Sequence, residues 1–328
     1  MAIPECRPGR PDELAGIFPG AIDEDGMVAL GRAAAAEALS GQGPGRAAVV
    51  VGWDTRPASS ALQEALSRGL ASEGARVLRI GEVPASLVRF AIRRVGADTG
   101  LFVTGGDRPP EWSGLRLYRG AGCARSLSLD SAARRARELP GAGLLPLRGS
   151  VAERDFVPEY LAGVLGAFRP LRERLARGPL RVVVAGSHGA GSSATPRALS
   201  DIGCRVIRLR CTMEVPEGAP APDPSSAALL RETGLVVRAA RADFGILLGG
   251  DGDGFRAVDR DGVPMCSPLA RPLAGEDGTH AALRLAETVS RNALSANTLE
   301  RESRVGFREG RLARARSSRI PRRPISRV

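Results

Sequence analysis

The feature that most constrains the fold is a repeated order of apolar runs, polar loops and amphipathic segments. An apolar run at residues 48–51 enters the loop GWDTRP, and an amphipathic segment and a second apolar run at residues 76–80 follow. A helical segment at residues 86–95 then leads to an apolar run at residues 100–104. This order of strand, loop, helix and strand is typical of a βαβ unit with a parallel-type sheet.

The same order begins again after residue 150. We therefore expect an α/β protein with two related domains, each a mixed or mostly parallel sheet covered by helices, followed by a truncated C-terminal remnant. The predicted strands of the second cycle are residues 181–185, 204–209 and 244–248. Its predicted helices are residues 154–175, a helix opened by the Gly-rich loop GSHGAGSSATPRAL, and residues 225–239. After residue 265 the pattern weakens, and residues 274–294 predict one further helix.

Domain boundaries are predicted where this pattern changes. A length of 328 residues accommodates two domains of ordinary size. The expected units are a first domain at residues 1–150, a second domain at 151–265, the remnant of a third at 266–300, and an Arg-rich, disordered tail at 301–328.

The net charge of +11 is concentrated in this tail. Residues 301–328 contain ten Arg and two Glu, a net charge of +8, which leaves +3 for residues 1–300. The tail has one Phe and no other aromatic residue on which bases could stack, and no nucleic-acid-reading module precedes it. We therefore expect no nucleic-acid partner, although anion or nucleic-acid binding by the tail stays open as an alternative.

The sequence lacks the features of membrane proteins, disulfide-rich proteins and zinc-binding proteins. No run approaches the length of a membrane span and no apolar leader begins the chain, so we expect a cytoplasmic protein without a membrane partner. The five cysteines show no C-x-x-C spacing and indicate neither a disulfide framework nor a zinc site. The sequence does not indicate an oligomeric state.

Two glycine-rich loops follow predicted strands. In LLGGDGDGF, Asp251 and Asp253 lie two residues apart directly after an apolar run, so both carboxylates can point at one hard cation. A surface turn is the alternative, because Asp and Gly are also common turn formers. The loop GSHGAGSS at residues 186–193 could hold a phosphate at a helix N-terminus, and we interpret His188 within it as structural or solvated.

A third loop, VTGGDRPPEWSGL at residues 103–115, has the Gly and Pro punctuation of an active-site loop but no obvious nucleophile. Together with GWDTRP, VVVAGSHGAGS and ILLGGDGDGF, it resembles the α-D-phosphohexomutase family in order and spacing over roughly residues 20–265. The resemblance implies phosphoryl transfer within hexose phosphates through a phosphoserine in the first domain. It also implies Mg²⁺ in the second domain, sugar recognition in the third and phosphate binding in the fourth.

The loop departs from the family at the residue that carries the phosphoryl group. Thr104 matches the family pattern, but the phosphoserine falls on Gly106 and its two neighbours fall on Asp107 and Arg108. These four residues are the implied catalytic positions. Because glycine has no hydroxyl, we expect the mutase activity to be lost or severely impaired.

The implied metal loop departs as well. The first of the family's three aspartates falls on Gly249 and the following Arg falls on Gly254, while Asp251 and Asp253 remain. Mg²⁺ is therefore the cofactor implied by resemblance, and we expect its affinity to be low because Gly249 replaces a ligand.

Four further residues match family positions. Asp54 and Arg56 match the segment that supports the phosphoserine loop from beneath, and we expect them to brace it. Glu276 and His280 fall on positions that contact the sugar. The alternative for this pair is that they form only the polar start of a helix at residues 281–290.

The predicted function is that of a phosphohexomutase-like protein that binds a hexose phosphate with impaired or absent turnover. One alternative is an active phosphomannomutase or phosphoglucomutase with a substitute phosphoryl carrier. Asp107 could form an acyl phosphate in principle, although such sites usually need a well-held Mg²⁺. The other alternative is binding of anions or nucleic acid by the tail.

Overall fold

The computed structural model describes residues 1–7, 10–39, 47–121, 127–139, 146–219, 222–266 and 277–292. Its strands form two mixed sheets, which confirms the predicted fold class. The first sheet has the order β1-β2-β6-β5-β3-β4-β7. Its strands are β1 (Cys6–Arg7), β2 (Arg10–Ile17), β3 (Ala48–Trp53), β4 (Arg76–Glu82), β5 (Thr99–Val103), β6 (Trp112–Arg119) and β7 (Ser150–Glu153).

The first sheet is parallel in one half and antiparallel in the other. The strands β5, β3, β4 and β7 run parallel, whereas β1, β2 and β6 join the sheet antiparallel. The expected domain boundary between residues 150 and 151 lies within β7, so the first sheet extends slightly past that boundary. Its helices are α1 (Glu24–Ala38), α2 (Ser59–Ser72), α3 (Ala85–Val95) and α4 (Leu129–Glu138).

The second sheet is smaller, with the order β11-β10-β8-β9, and only β11 is antiparallel to its neighbour. Its strands are β8 (Arg181–Ala185), β9 (Arg205–Leu209), β10 (Phe244–Leu248) and β11 (Phe255–Asp259). The helices around it are α5 (Val157–Ala167), α6 (Arg169–Leu175), α7 (Gly191–Ile202), α8 (Ala227–Ala240) and α9 (Gly278–Asn292).

Alternating side chains of the central strands supply two apolar layers. In β3, Val49 and Val51 pack with α1 and α2, whereas Val50 faces the opposite layer with α3. That opposite layer also contains Phe156 before α5 and Val182 and Ile246 of the second sheet. The two domains therefore share one continuous apolar core.

One helical prediction differs from the structure. The single helix predicted over residues 154–175 is two helices, α5 and α6, that meet at Phe168. Pro170 lies in the first turn of α6, where a backbone N–H has no partner within the helix and its absence therefore costs nothing. Proline cannot continue a preceding helix, however, so α5 ends before it.

The segment expected as a remnant of a third domain contributes α9, which packs on the second domain. A salt bridge joins Arg174 of α6 to Glu287 of α9 over 3.0 Å, and Thr195 of α7 is hydrogen-bonded to Thr279 over 2.9 Å. The predicted tail at residues 301–328 lies outside the described residues. Among the helices described, none is long and apolar enough to cross a membrane.

The close packing of α1 and α2 depends on glycine. A Cβ at Gly69 would lie 2.1 Å from the Val28 carbonyl oxygen, so Gly69→Ala forces the helices apart. We expect a loss of about 2 kcal/mol in the free energy of unfolding, measured by urea denaturation. The control Gly166→Ala adds a methyl group in open space in α5 and should leave stability equal or higher. Equal stability of both variants would contradict this packing.

Candidate functional site

A buried arginine shapes the loop between β5 and β6. All five donor positions of the Arg56 guanidinium are used, and four of the hydrogen bonds go to loop carbonyl oxygens. These acceptors, with their distances, are Pro109 (2.5 Å), Trp112 (3.0 Å), Gly106 (2.7 Å) and Arg108 (2.7 Å). Nε of Arg56 donates to Asp54 over 3.0 Å, so the loop rests on this buried ion pair.

Asp54 is itself held in place. It is 1% exposed, and its carboxylate also accepts hydrogen bonds from the Ser59 hydroxyl (2.5 Å) and the Arg56 N–H (3.1 Å). Burial of a charged pair is tolerated only when its hydrogen-bonding groups are satisfied. The pair lies beneath the loop and holds its main chain.

Gly106 occupies a turn with room for a side chain. Its φ is +65°, and its N–H donates to the Thr104 hydroxyl over 2.8 Å. A Cβ at this position would have the Arg108 and Arg116 guanidinium groups as its nearest neighbours, each 3.7 Å away. A side chain at position 106 would therefore face two guanidinium groups. The buried Thr104 hydroxyl accepts the Gly106 N–H and so helps to form the turn.

The loop forms one wall of an open cavity of about 780 Å³. Arg108 and Arg116 bring positive charge to it, while Glu5, Glu13, Asp107 and Asp223 bring negative charge. The lining residues used below are Glu13, Gly106, Asp107, Arg108, Trp112 and Arg116. The mixture can position a polar ligand through both donors and acceptors.

A chain of alternating charges connects this cavity to the second domain. Glu13 lies between Arg108 (3.2 Å) and Arg116 (3.8 Å), and Arg116 donates to Asp251 over 2.8 Å. In parallel, Arg89 of α3 makes two hydrogen bonds, of 2.6 and 3.1 Å, to Asp253. The predicted metal carboxylates are therefore both paired with arginines of the first domain.

These pairs set the ionisation of the acidic loop. Burial opposes ionisation of Asp251, but the charge of Arg116 and the hydrogen bonds from the Asp253 and Gly254 N–H groups and from Arg116 outweigh it and lower the pKa of that carboxyl. Burial and then the charge of Asp251 raise the pKa of Asp253 to about 6, against the opposing effect of Arg89. Among the described residues, no three His, Cys, Asp or Glu side chains are grouped as metal ligands.

Asp107 fills the space that a side chain at position 249 would need. A Cβ at Gly249 would lie 2.6 Å from Oδ1 of Asp107, and the same oxygen accepts a hydrogen bond from the Gly250 N–H over 3.3 Å. The carboxylate next to the metal loop thus comes from the first domain. Desolvation by the two loops, and then the charge of Asp251, raise the pKa of Asp107 to about 6.

Both histidines lie away from this cavity. His280 is hydrogen-bonded through Nδ1 to Asp277 over 3.0 Å and lines a separate cavity between α3 and α5. Glu276, its predicted partner in sugar recognition, lies outside the described residues. His188 has a φ of +58° and is hydrogen-bonded through Nδ1 to Thr212 over 2.6 Å.

The residues that sequence reasoning missed are Glu13, Arg89 and Arg116. Arg116 and Tyr118 alternate with apolar residues on β6, a period that marks one face of a strand, but β6 was not predicted. The pairing of Arg89 and Arg116 with the acidic loop depends on contacts between residues more than a hundred positions apart and has no local signal.

Removing the Arg56 guanidinium should destabilise the whole protein. Arg56→Met leaves Asp54 as a buried unpaired charge and four carbonyl oxygens without their donor, for a loss of about 3–5 kcal/mol in the free energy of unfolding. Urea denaturation measures this loss. Arg197→Met removes only an exposed pair with Asp201 and should change stability by less than about 0.5 kcal/mol. Equal effects of the two variants would contradict the role given to Arg56.

Asp107 should make stability depend on pH. Its raised pKa means that ionising this carboxyl costs more in the folded than in the unfolded chain, so the cost is absent near pH 4 and complete above pH 6. Asp107→Asn keeps the acceptor oxygen and removes the charge. The Asp107 side chain is exposed, so solvent screens part of this cost. We therefore expect Asp107→Asn to raise the free energy of unfolding by up to about 1 kcal/mol at pH 7.5 and not at pH 4.

Thermal and urea unfolding at the two pH values measure this difference. Asp201→Asn, at an exposed position in α7, is the control and should change stability little at either pH. A variant at position 107 that is equally stabilising at both values would show that charge is not the cause.

Comparisons with known proteins identify the family to which the two domains belong. Residues 11–135 match the model described as phosphoglucomutase/phosphomannomutase, alpha/beta/alpha domain I, and residues 158–262 match domain II. "Probable phosphoglucosamine mutase" of Methanothermobacter thermautotrophicus is 33% identical over 76% of this chain and 55% of its own length. Phosphoglucosamine mutase of Mycolicibacterium paratuberculosis is 31% identical over 81% of this chain and 60% of its own length.

A solved structure shows the same fold. The phosphoglucomutase/phosphomannomutase family protein of Burkholderia thailandensis superposes with a TM-score of 0.66 at 24% identity, covering 77% of this chain and 55% of that protein. The chain thus spans little more than half the length of the relatives it matches. Domain I and domain II match in that order and together cover more than half of the chain, which therefore belongs to the α-D-phosphohexomutase family.

Proposed function

We propose that this chain binds a hexose phosphate at the cavity of the 103–115 loop without transferring its phosphoryl group. The observation that carries this proposal is Gly106. The loop keeps its turn and its brace by Arg56, but the position implied for the phosphoserine has no hydroxyl. Arg108 and Arg116 face that position from 3.7 Å and are the guanidinium donors that a phosphate group would contact, although each is also paired with a carboxylate, Glu13 and Asp251 respectively.

The ligand class follows from the relatives. Those named above are phosphoglucosamine mutases, and the matched models describe phosphoglucomutases and phosphomannomutases. The chain spans only 55–60% of the length of these relatives, so the binding of their substrates by this chain is part of the proposal. The candidates are the phosphates of glucose, mannose and glucosamine.

Low Mg²⁺ affinity belongs to the same proposal, because the residues present do not fit this ion. Gly249 offers no oxygen from a side chain, and Asp251 and Asp253 are held by guanidinium groups at 2.8 and 2.6 Å. Mg²⁺ would have to displace both arginines and still find the remaining ligands of an octahedron. No step of the proposed function uses the metal.

A second candidate is an active mutase in which Asp107 carries the phosphoryl group. It is supported by the position of Asp107, which is exposed, adjoins Gly106 and lines the same cavity. With a pKa of about 6, the carboxylate is ionised at neutral pH and available as a nucleophile.

A mutase assay separates the two candidates. The purified chain is given each hexose 1-phosphate with Mg²⁺ and a bisphosphate primer, and formation of the 6-phosphate is compared with a sham preparation. We expect no turnover above the sham, together with calorimetric binding of the 6-phosphate that Arg108→Gln weakens about tenfold. Turnover that Asp107→Asn abolishes would instead establish the second candidate.

A further inference from the structure

Strand β2 brings a carboxylate into the wall of the cavity formed by the 103–115 loop. Glu13 is 8% exposed and lines this cavity together with Arg108 and Arg116. β2 pairs antiparallel with β6, and Glu13 lies directly opposite Arg116 in that pairing. Directly opposite residues on one face of a sheet have Cβ atoms about 4.5–5.5 Å apart. The register of the two strands therefore fixes this carboxylate beside the guanidinium group.

Glu13 contacts the guanidinium groups of both arginines. Its Oε1 accepts hydrogen bonds from Nη1 and Nη2 of Arg108, over 3.3 and 3.2 Å, and its Oε2 lies 3.8 Å from Nη2 of Arg116. Of the four carboxylates that line the cavity, Glu13 is the one that forms salt bridges with these arginines among the described residues. One carboxylate thus offsets part of the charge of two cations.

The nitrogen atoms that Glu13 contacts are the same ones that face position 106. A Cβ at Gly106 would have Nη1 of Arg108 and Nη2 of Arg116 as its nearest neighbours, each 3.7 Å away. Glu13 reaches these two nitrogens from the neighbouring strand. A phosphate group bound beside position 106 would meet donors that already have an anionic partner.

Arg108 has little freedom to turn away from Glu13. Its Nη1 also donates to the Gly105 carbonyl oxygen over 3.0 Å, and its guanidinium carbon lies 5.6 Å from the centroid of the Trp112 ring, in cation–π contact. Rotation of the side chain toward the open part of the cavity would break these contacts together. A ligand therefore has to share this guanidinium group with Glu13 where it lies.

We propose that Glu13 is an internal anion that competes with the ligand's phosphate for Arg108 and Arg116 and thereby sets the affinity of the cavity. This inference rests on the proposed binding of a hexose phosphate there. The phosphate of such a ligand carries about −1.5 to −2 charges at pH 7. Like charges brought together at a binding site oppose association, and the opposition grows with the charge of the ligand. Glu13 therefore weakens phosphate binding and disfavours a dianion more than a monoanion.

Isothermal titration calorimetry of the full chain with glucose 6-phosphate tests the sign of this effect. Glu13→Gln keeps an acceptor oxygen for Arg108 and removes the charge, so we expect binding about tenfold tighter than that of the wild type. If Glu13 served instead to hold Arg108 in place for the ligand, the same variant would bind more weakly. Weaker or unchanged binding overturns the proposal.

Glu111→Gln is the matched control. Glu111 is an exposed residue of the same loop that does not line the cavity, so its replacement removes the same charge at a site open to solvent. We expect a change of less than about twofold. A tightening equal to that of Glu13→Gln would show an effect of net charge alone and overturn the role of Glu13.

A second variant makes the test independent of the folding of Glu13→Gln. Glu13→Asp keeps the charge but withdraws the carboxylate by one methylene group, and it should tighten glucose 6-phosphate binding about threefold. In an Arg108→Gln background the gain from Glu13→Gln should fall below about threefold, because the competition needs Arg108. A full tenfold gain in that background would overturn the proposal.

Glucose 6-sulfate, a monoanion of similar shape, tests whether charge is the cause. Glu13→Gln should tighten its binding about threefold, less than that of the 6-phosphate, because the repulsion removed is smaller. An equal gain for both ligands would overturn the electrostatic explanation. Absence of glucose 6-phosphate binding in both the wild type and Glu13→Gln would overturn the proposed function itself. Binding by the wild type that Glu13→Gln does not tighten would overturn this inference alone.

Discussion

The hydrogen bonds between Arg56 and the carbonyl oxygens of the 103–115 loop are the interaction on which the site depends. They act on the main chain and therefore do not require any particular side chain at position 106. Asp54, held by Ser59 and the Arg56 N–H, fixes the guanidinium from the other side. For this reason the outline of the loop does not depend on a side chain at position 106. The shape of the loop is set by Arg56 and Asp54, which are not part of the loop.

At the junction of the two domains, arginines of the first domain neutralise the two carboxylates of the acidic loop, Asp251 and Asp253. Asp251 and Asp253 are both buried or partly buried, and two carboxylates this close together would repel each other strongly without a counter-charge. Arg116 and Arg89 supply that charge from the first domain. Asp107 adds a third carboxylate in the space beside Gly249, which is possible only because position 249 has no side chain. The residues at positions 107 and 249 are therefore sterically linked.

The fold was largely predictable from the sequence, whereas the site was predictable only in part. The buried strands β3, β5, β8 and β10 are continuous apolar runs, so they were recognised, but β2 and β6 mix charged and apolar residues and were missed. Pro170, in the first turn of α6, is a local sequence signal for the break between α5 and α6. The positions of Asp54, Arg56 and Gly106 follow from family resemblance. The contacts of Asp107 with the 249–250 segment, and the placing of His280 in a second cavity, depend on how distant loops meet in space.

A single apolar core runs from β3 through α3 and Phe156 into the second sheet, so the motion and the unfolding of the two sheets are coupled. Sliding one domain over the other would open that core to water. The two sheets should therefore denature as a single cooperative unit, although each belongs to its own domain. Rearrangement on ligand binding is then confined to surface loops and side chains, with the sheets as a fixed frame.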